Sequence, residues 1–210
     1  MKVIIILGIA TFANAPIFCQ TIINTKMDNK LDFKLLDKYA EKSQREDTLG
    51  TYFEYYWSFT DKKGTESELF GNIREGFVVS QTPPKPAFYH IYKEYFPNGN
   101  LKEKGKFLGE GTMIGEWEYY NETGQLVSKK NEDAKFGRFG CNELLSFLHQ
   151  QKHINVKTGE NREKIRIVFN EENKQWFVRT TNPRYWIIEY VINGETGEII
   201  SKREFQGGKM

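Results

Sequence analysis

The sequence has few of the residues that carry most protein chemistry: two cysteines and three histidines in 210 residues. Cys19 lies in the N-terminal segment, so a chain cut after it keeps only Cys141. One cysteine cannot close an intrachain disulfide, and a chain of this length buries enough surface to fold without one. Cys141 is expected as a small buried residue at a helix start. His149 and His153 stand four apart, a spacing that puts two ligands on one helix face, but Gln150 occupies the place of a zincin's glutamate and no third ligand is near. They are expected as solvated residues at a helix C-terminus, and His90 as a packing residue of an aromatic strand. No metal and no cofactor is expected.

Charge of one sign is missing as well. The 30 basic and 28 acidic residues leave +2, and no element carries a Lys/Arg stripe, which argues against nucleic acid as a partner. No apolar run approaches the roughly twenty residues of a transmembrane helix, so no membrane span is expected. The chain has no Gly-x-Ser-x-Gly elbow, P-loop or dinucleotide fingerprint. The glycines from Gly105 to Gly115 lack a following Lys-Ser/Thr pair. Carboxylate pairs occur at Glu171-Glu172, Glu116/Glu118 and Asp32/Asp37, but glycoside chemistry needs two acids facing across a cleft, which spacing does not give. The expected role is therefore non-catalytic.

What is present is aromatic. Phe, Trp and Tyr make up 15% of a chain whose mean hydropathy is −0.63, a mixture that suits half-buried strands. Met1-Lys2 followed by the apolar run Val3 to Phe12 reads as a signal peptide. Cleavage fits after Ala15, where Pro16 is unfavourable, or after Cys19, which is preferred. A lipid anchor on Cys19 is disfavoured by the bulky Phe18 before it. Residues 1–19 are thus expected to be removed, and the mature protein to be exported, periplasmic or secreted.

Along the chain, Leu31, Leu35, Leu36 and Tyr39 predict one amphipathic helix within Asp28–Glu46, with Asp28 as N-cap. Strands are predicted over Tyr52–Thr60, Thr65–Phe70 and Gly76–Gln81, with a turn at Asp61–Gly64. Pro83-Pro84-Lys85-Pro86 makes a stiff linker or loop. Two segments then repeat, one from Tyr92 to Lys104 and one from Trp117 to Lys129. Aligned on Gly99 and Gly124, they share an aromatic seven residues before the glycine and a tyrosine four before it (Tyr95, Tyr120). They also share a leucine two after it and a lysine five after it, at a period of 25 residues. Each reads as a hairpin whose glycine supplies a positive φ.

This pattern resembles MORN-type repeats, in particular the variant of the YwqK-type antitoxin family. Gly115-Glu116-Trp117 opens the second unit as that family would have it. The match covers residues 88–130, with a degraded copy over 49–70. The resemblance implies a β-hairpin sheet and a binding role.

In the C-terminal third, Gly140-Cys141-Asn142 precedes Leu144, Leu145, Phe147 and Leu148, which read as a helix with Asn142 as N-cap running to about His153. Strands follow at Lys164–Phe169, Gln175–Thr180, Tyr185–Ile192 and Glu198–Phe205, with turns at 170–174, Asn182–Arg184 and Gly194–Gly197. The run Trp186 to Ile200 is similar to the closing hairpin of PepSY-like domains, small exported modules. The expected fold is mainly β with two short helices (α+β). A helix and repeat-type antiparallel hairpin sheet occupy 20–135, and a helix with a four-stranded antiparallel meander occupies 136–210.

The aromatics have two readings. Phe53, Tyr55, Trp57 and Phe59, with Tyr92, Tyr95, Trp117 and Tyr120, form either a stacking platform or the core of a thin sheet. Tyr56 and Tyr119 are the better candidates for exposed contacts. The expected partner is another protein of the cell envelope. The alternative is a glycan-binding protein or an envelope enzyme acting on polysaccharide or peptide.

Overall fold

The computed structural model describes residues 29–181 and 186–206. The segment predicted as a signal peptide with its two candidate cleavage sites, Cys19, Asp28 and the predicted turn Asn182–Arg184 lie outside the described residues.

Helix α1 spans Phe33–Tyr39 and is capped by Asp32, whose carboxylate accepts from the backbone N–H of Lys34 and Leu35. This is the short helix expected within Asp28–Glu46, and the remaining described residues of that segment are not helical. Instead the chain turns extended at Ala40, and Glu41–Asp47 forms strand β1. The reason is local. The apolar stripe ends at Tyr39, and Glu41 to Asp47 has no apolar side chain to bury against the sheet. Helices of this length depend on such burial, so pairing with the next strand prevails.

β1 begins an eight-stranded antiparallel meander in sequence order. Its other strands are β2 Gly50–Thr60, β3 Glu66–Asn72, β4 Gly76–Thr82, β5 Tyr89–Tyr95, β6 Leu101–Leu108, β7 Thr112–Tyr120 and β8 Leu126–Asn131. The proline-rich segment is a loop joining the paired strands β4 and β5, inside the sheet. The charged side chains of β1 suit an edge strand.

The repeat turns are alike in detail. Phe96 N–H donates to Asn100 and Gly99 N–H to Phe96; Asn121 N–H donates to Gln125 and Gly124 N–H to Asn121. Asp61–Thr65 makes the same two bonds around Gly64. Gly64, Gly99 and Gly124 have φ of 82°, 81° and 82°. This is the hairpin loop in which a turn is closed by a left-handed residue that bulges the strand. Counting seven residues back from Gly64 reaches Trp57, in step with Tyr92 and Trp117. The segment around Gly64 thus shares the turn and the aromatic seven residues before it, while Thr60, Glu66 and Leu69 stand where the other two units have tyrosine, leucine and lysine.

A second sheet follows helix α2, Cys141–Gln150. Its strands β9 Ile165–Asn170, β10 Gln175–Thr181, β11 Trp186–Asn193 and β12 Ile199–Gln206 run in the order β12-β11-β10-β9, the expected meander with β11 central. The N-cap of α2 is Gly140, not Asn142; Glu143 reaches back to accept the Gly140 N–H.

Each sheet is covered on one face by a helix. Leu31 and Leu36 pack on Trp57, Leu69, Phe77, Val79, Tyr95 and Leu101. Leu144 and Leu148 pack on Ile167, Trp176, Val178, Tyr190 and Ile192. Burying each such large side chain contributes roughly 1.5–3 kcal/mol. The second core extends to Leu108 at the end of β6. There the sheets abut without merging: Phe169 N–H donates to Thr112 Oγ1 at 3.1 Å, and Arg162 donates to the carbonyls of Pro83 and Ala87 at 2.8 and 2.9 Å.

Candidate functional site

Side chains alternate between sheet faces, so residues three apart in a strand point opposite ways. That parity divides the aromatic platform suggested by the sequence. Tyr95 lies fully buried under α1, and Tyr120 packs at the edge of the same core. Tyr92 and Trp117 lie on the opposite face, which no helix among the described residues covers and which is called helix-free below. Trp117 is 1% exposed there, set over Gly105 and packed by Tyr92 and Phe107 with ring centroids at 5.8 and 5.0 Å. Tyr95, Trp117 and Tyr120 are thus packing residues and form no surface platform. The turn residues Gly99 and Gly124 shape the hairpins.

Tyr56 and Tyr119 share the helix-free face and one row across it. Successive partners run Tyr56, Phe70, Val78, Glu94, Glu103, Tyr119 and Ser128. Tyr56 is 44% and Phe70 54% exposed, so the row begins in a wet aromatic pair. Its middle holds two directly opposed carboxylates, Glu94 and Glu103. Burial first, and the Glu94 charge second, push the Glu103 carboxyl above its ordinary range. Lys102 pairs with Glu94 at 2.6 Å. Tyr92 Oη donates to Glu94 at 3.4 Å, and burial with the Glu94 charge pushes that phenol up to about 12. Tyr119 is also raised, by burial and then by Glu132 and Glu103. The face therefore presents aromatic rings at both ends of an acidic centre. Sequence reasoning nominated the two tyrosines and missed Phe70 and the acidic pair, which only strand register brings together.

The acids singled out in the sequence are mostly committed to partners. Glu118 meets Lys104 at 2.7 Å and Lys129 at 2.9 Å and accepts from Tyr120 Oη. Those hydrogen bonds hold its carboxyl down to about 2. Glu116 pairs with Lys129, Glu171 with Lys135 and Asp37 with Lys42, while Asp32 caps α1.

His149 and His153 are half-buried and hydrogen-bonded rather than solvated, whereas His90, expected as a packing residue, is exposed. His149 Nδ1 lies 3.2 Å from the Ile154 carbonyl, and His153 Nε2 lies 2.9 Å from Tyr190 Oη, with burial depressing the His153 ring. His90 Nδ1 lies 2.9 Å from Thr82 Oγ1 in a cleft of ≈380 Å³ between the sheets. Burial and the neighbouring Arg162 lower that ring too. Cys141 is half-buried, and desolvation pushes its thiol up to about 12. Among the described residues no three His, Cys, Asp or Glu side chains gather as metal ligands, and no helix is long and apolar enough to cross a membrane.

No family model matches the chain, and no curated protein and no solved structure matches it.

Proposed function

We propose that this chain is an exported, non-catalytic interaction module that binds another protein of the cell envelope through the helix-free face of its first sheet. One observation carries the reading: the row from Tyr56 and Phe70 through Glu94 and Glu103 to Tyr119. Exposed aromatic rings are enriched at protein-contact surfaces, with charges gathered at the rim. The N-terminal Met1-Lys2 and Val3–Phe12 support export, and the paired hairpins around Gly99 and Gly124 support the MORN-type resemblance. A crosslinking pull-down from the envelope fraction, with wild type and Phe70→Asp as parallel baits, tests it. A saturable protein retained by wild type and lost from the variant supports the reading. Equal retention by both baits contradicts it.

A second reading, glycan binding at the same face, is favoured by the opposed carboxylates flanked by Tyr92 and Tyr119. Carboxylates take sugar hydroxyls and rings stack on sugar faces. Retention on peptidoglycan that Tyr119→Ala abolishes would favour it over the first.

A further inference from the structure

The second sheet also has a face that no helix among the described residues covers, with a different chemistry. Its covered face holds Ile167, Trp176, Val178 and Tyr190, so the residues between them point away from the core. Two rows cross the four strands there. One runs Val168, Phe177, Val191, Ser201; the other runs Arg166, Arg179, Glu189, Arg203. Together they line a groove of ≈460 Å³. Val168 is 47% and Phe177 40% exposed.

The charged row is unbalanced. Arg166 and Arg179 stand directly opposite one another, an arrangement that repels. Each has taken a carboxylate: Glu110 meets Arg166 at 2.6 Å, and Glu189 meets Arg179 at 2.6 Å. Glu189 is also the register partner of Arg203, yet it is held by Arg179. Arg203 makes no ion pair among the described residues, so three guanidinium groups face two carboxylates in the groove. A planar guanidinium is suited to bidentate carboxylate recognition.

The geometry points to an acidic, extended segment of a partner protein as the occupant of this groove, with an apolar side chain over Phe177 and Val191 and a carboxylate on Arg203. The spacing supports this choice. The two rows lie two residues apart along each strand, roughly 7 Å, which is also the distance between alternate side chains of an extended peptide. The fitting sequence is therefore apolar-x-acidic. This inference does not depend on the first-sheet reading.

Fluorescence anisotropy on the full mature chain tests it with two labelled, capped heptapeptides. One alternates leucine and glutamate at every second position with threonine between; its twin has lysine for glutamate. The acidic peptide should bind at least roughly tenfold tighter than the twin. Arg203→Glu should erase or reverse that preference at unchanged thermal stability, and Phe177→Asp should abolish binding of both. Equal binding of the two peptides, no binding of either, or a preference that survives Arg203→Glu overturns the inference. So does a dimer in sedimentation that Phe177→Asp dissociates, because a second copy would then cover the face. None of these results bears on the pull-down with Phe70→Asp.

Discussion

A Cβ placed on Gly105 would lie 2.1 Å from Cε2 of Trp117, so the indole occupies the space that a missing side chain leaves open. Trp117 is buried although it lies on the face away from α1. Glycine on β6 provides depth, Tyr92 and Phe107 wall the sides, and the indole N–H donates to the Lys106 carbonyl at 3.3 Å. Gly105→Ala is expected to lift the ring and destabilise the fold by about 1–3 kcal/mol, as overpacking does. Trp117→Ala should cost about 3–5 kcal/mol. Urea unfolding of both variants checks this order.

The two repeat glycines should differ although their φ values nearly coincide. Both positions are left-handed, which costs a non-glycine residue roughly 1–2 kcal/mol. A Cβ at Gly99 would also meet the Phe33 ring at 2.8 Å, because the segment before α1 crosses that turn. At Gly124 the nearest atom is Asn100 Cγ at 3.8 Å. Gly99→Ala should therefore lower the denaturation midpoint more than Gly124→Ala, and equal losses would contradict the packing described.

Two glutamates should move stability in opposite directions with pH. The Glu118 carboxyl is held down to about 2, below its unfolded value, so its contribution is present above the unfolded value and fades as pH falls toward 2. Glu118→Gln should lower Tm at pH 7, with the deficit shrinking at pH 2. The Glu103 carboxyl is raised, so its contribution is present at low pH and is lost as pH rises through the raised value. Glu103→Gln should raise Tm at pH 7 and leave it unchanged at pH 3. Thermal melts of the two variants across pH 2–8 read both signs.

Cys141 should be slow to react. With its thiol pushed up to about 12, thiolate is scarce at pH 8, and burial restricts access. Labelling by a disulfide reagent should proceed much more slowly in the native protein than in urea. Equal rates would place the thiol at the surface.

Much of this architecture is legible in the residues. The spacing around Gly99 and Gly124 gives two hairpins, and the alternation of Ile165, Ile167 and Phe169 gives a strand of the second sheet with the correct inner face. Strand β1 is not legible, because Glu41–Asp47 carries no periodicity and is fixed only by pairing with β2. The candidate faces are legible in part. Tyr56 and Tyr119 stand out as aromatics off the inward pattern, but their common row depends on the register of six strands. Tyr95 and Trp117 look like neighbours on a platform until strand parity sends them to opposite faces. The opposed pair Glu94 and Glu103, and the row of Arg166, Arg179 and Arg203, are products of tertiary register that no sequence spacing announces.

The most direct test of the interaction reading is site-specific photo-crosslinking in the source cells, with a benzophenone side chain at position 70 of the full chain and, as control, at the exposed position 158. One dominant protein adduct from position 70, absent from position 158 and weakened by Tyr119→Asp, is the expected result. No protein adduct from position 70, or the same adducts from both positions, would contradict a binding role for the first sheet's helix-free face.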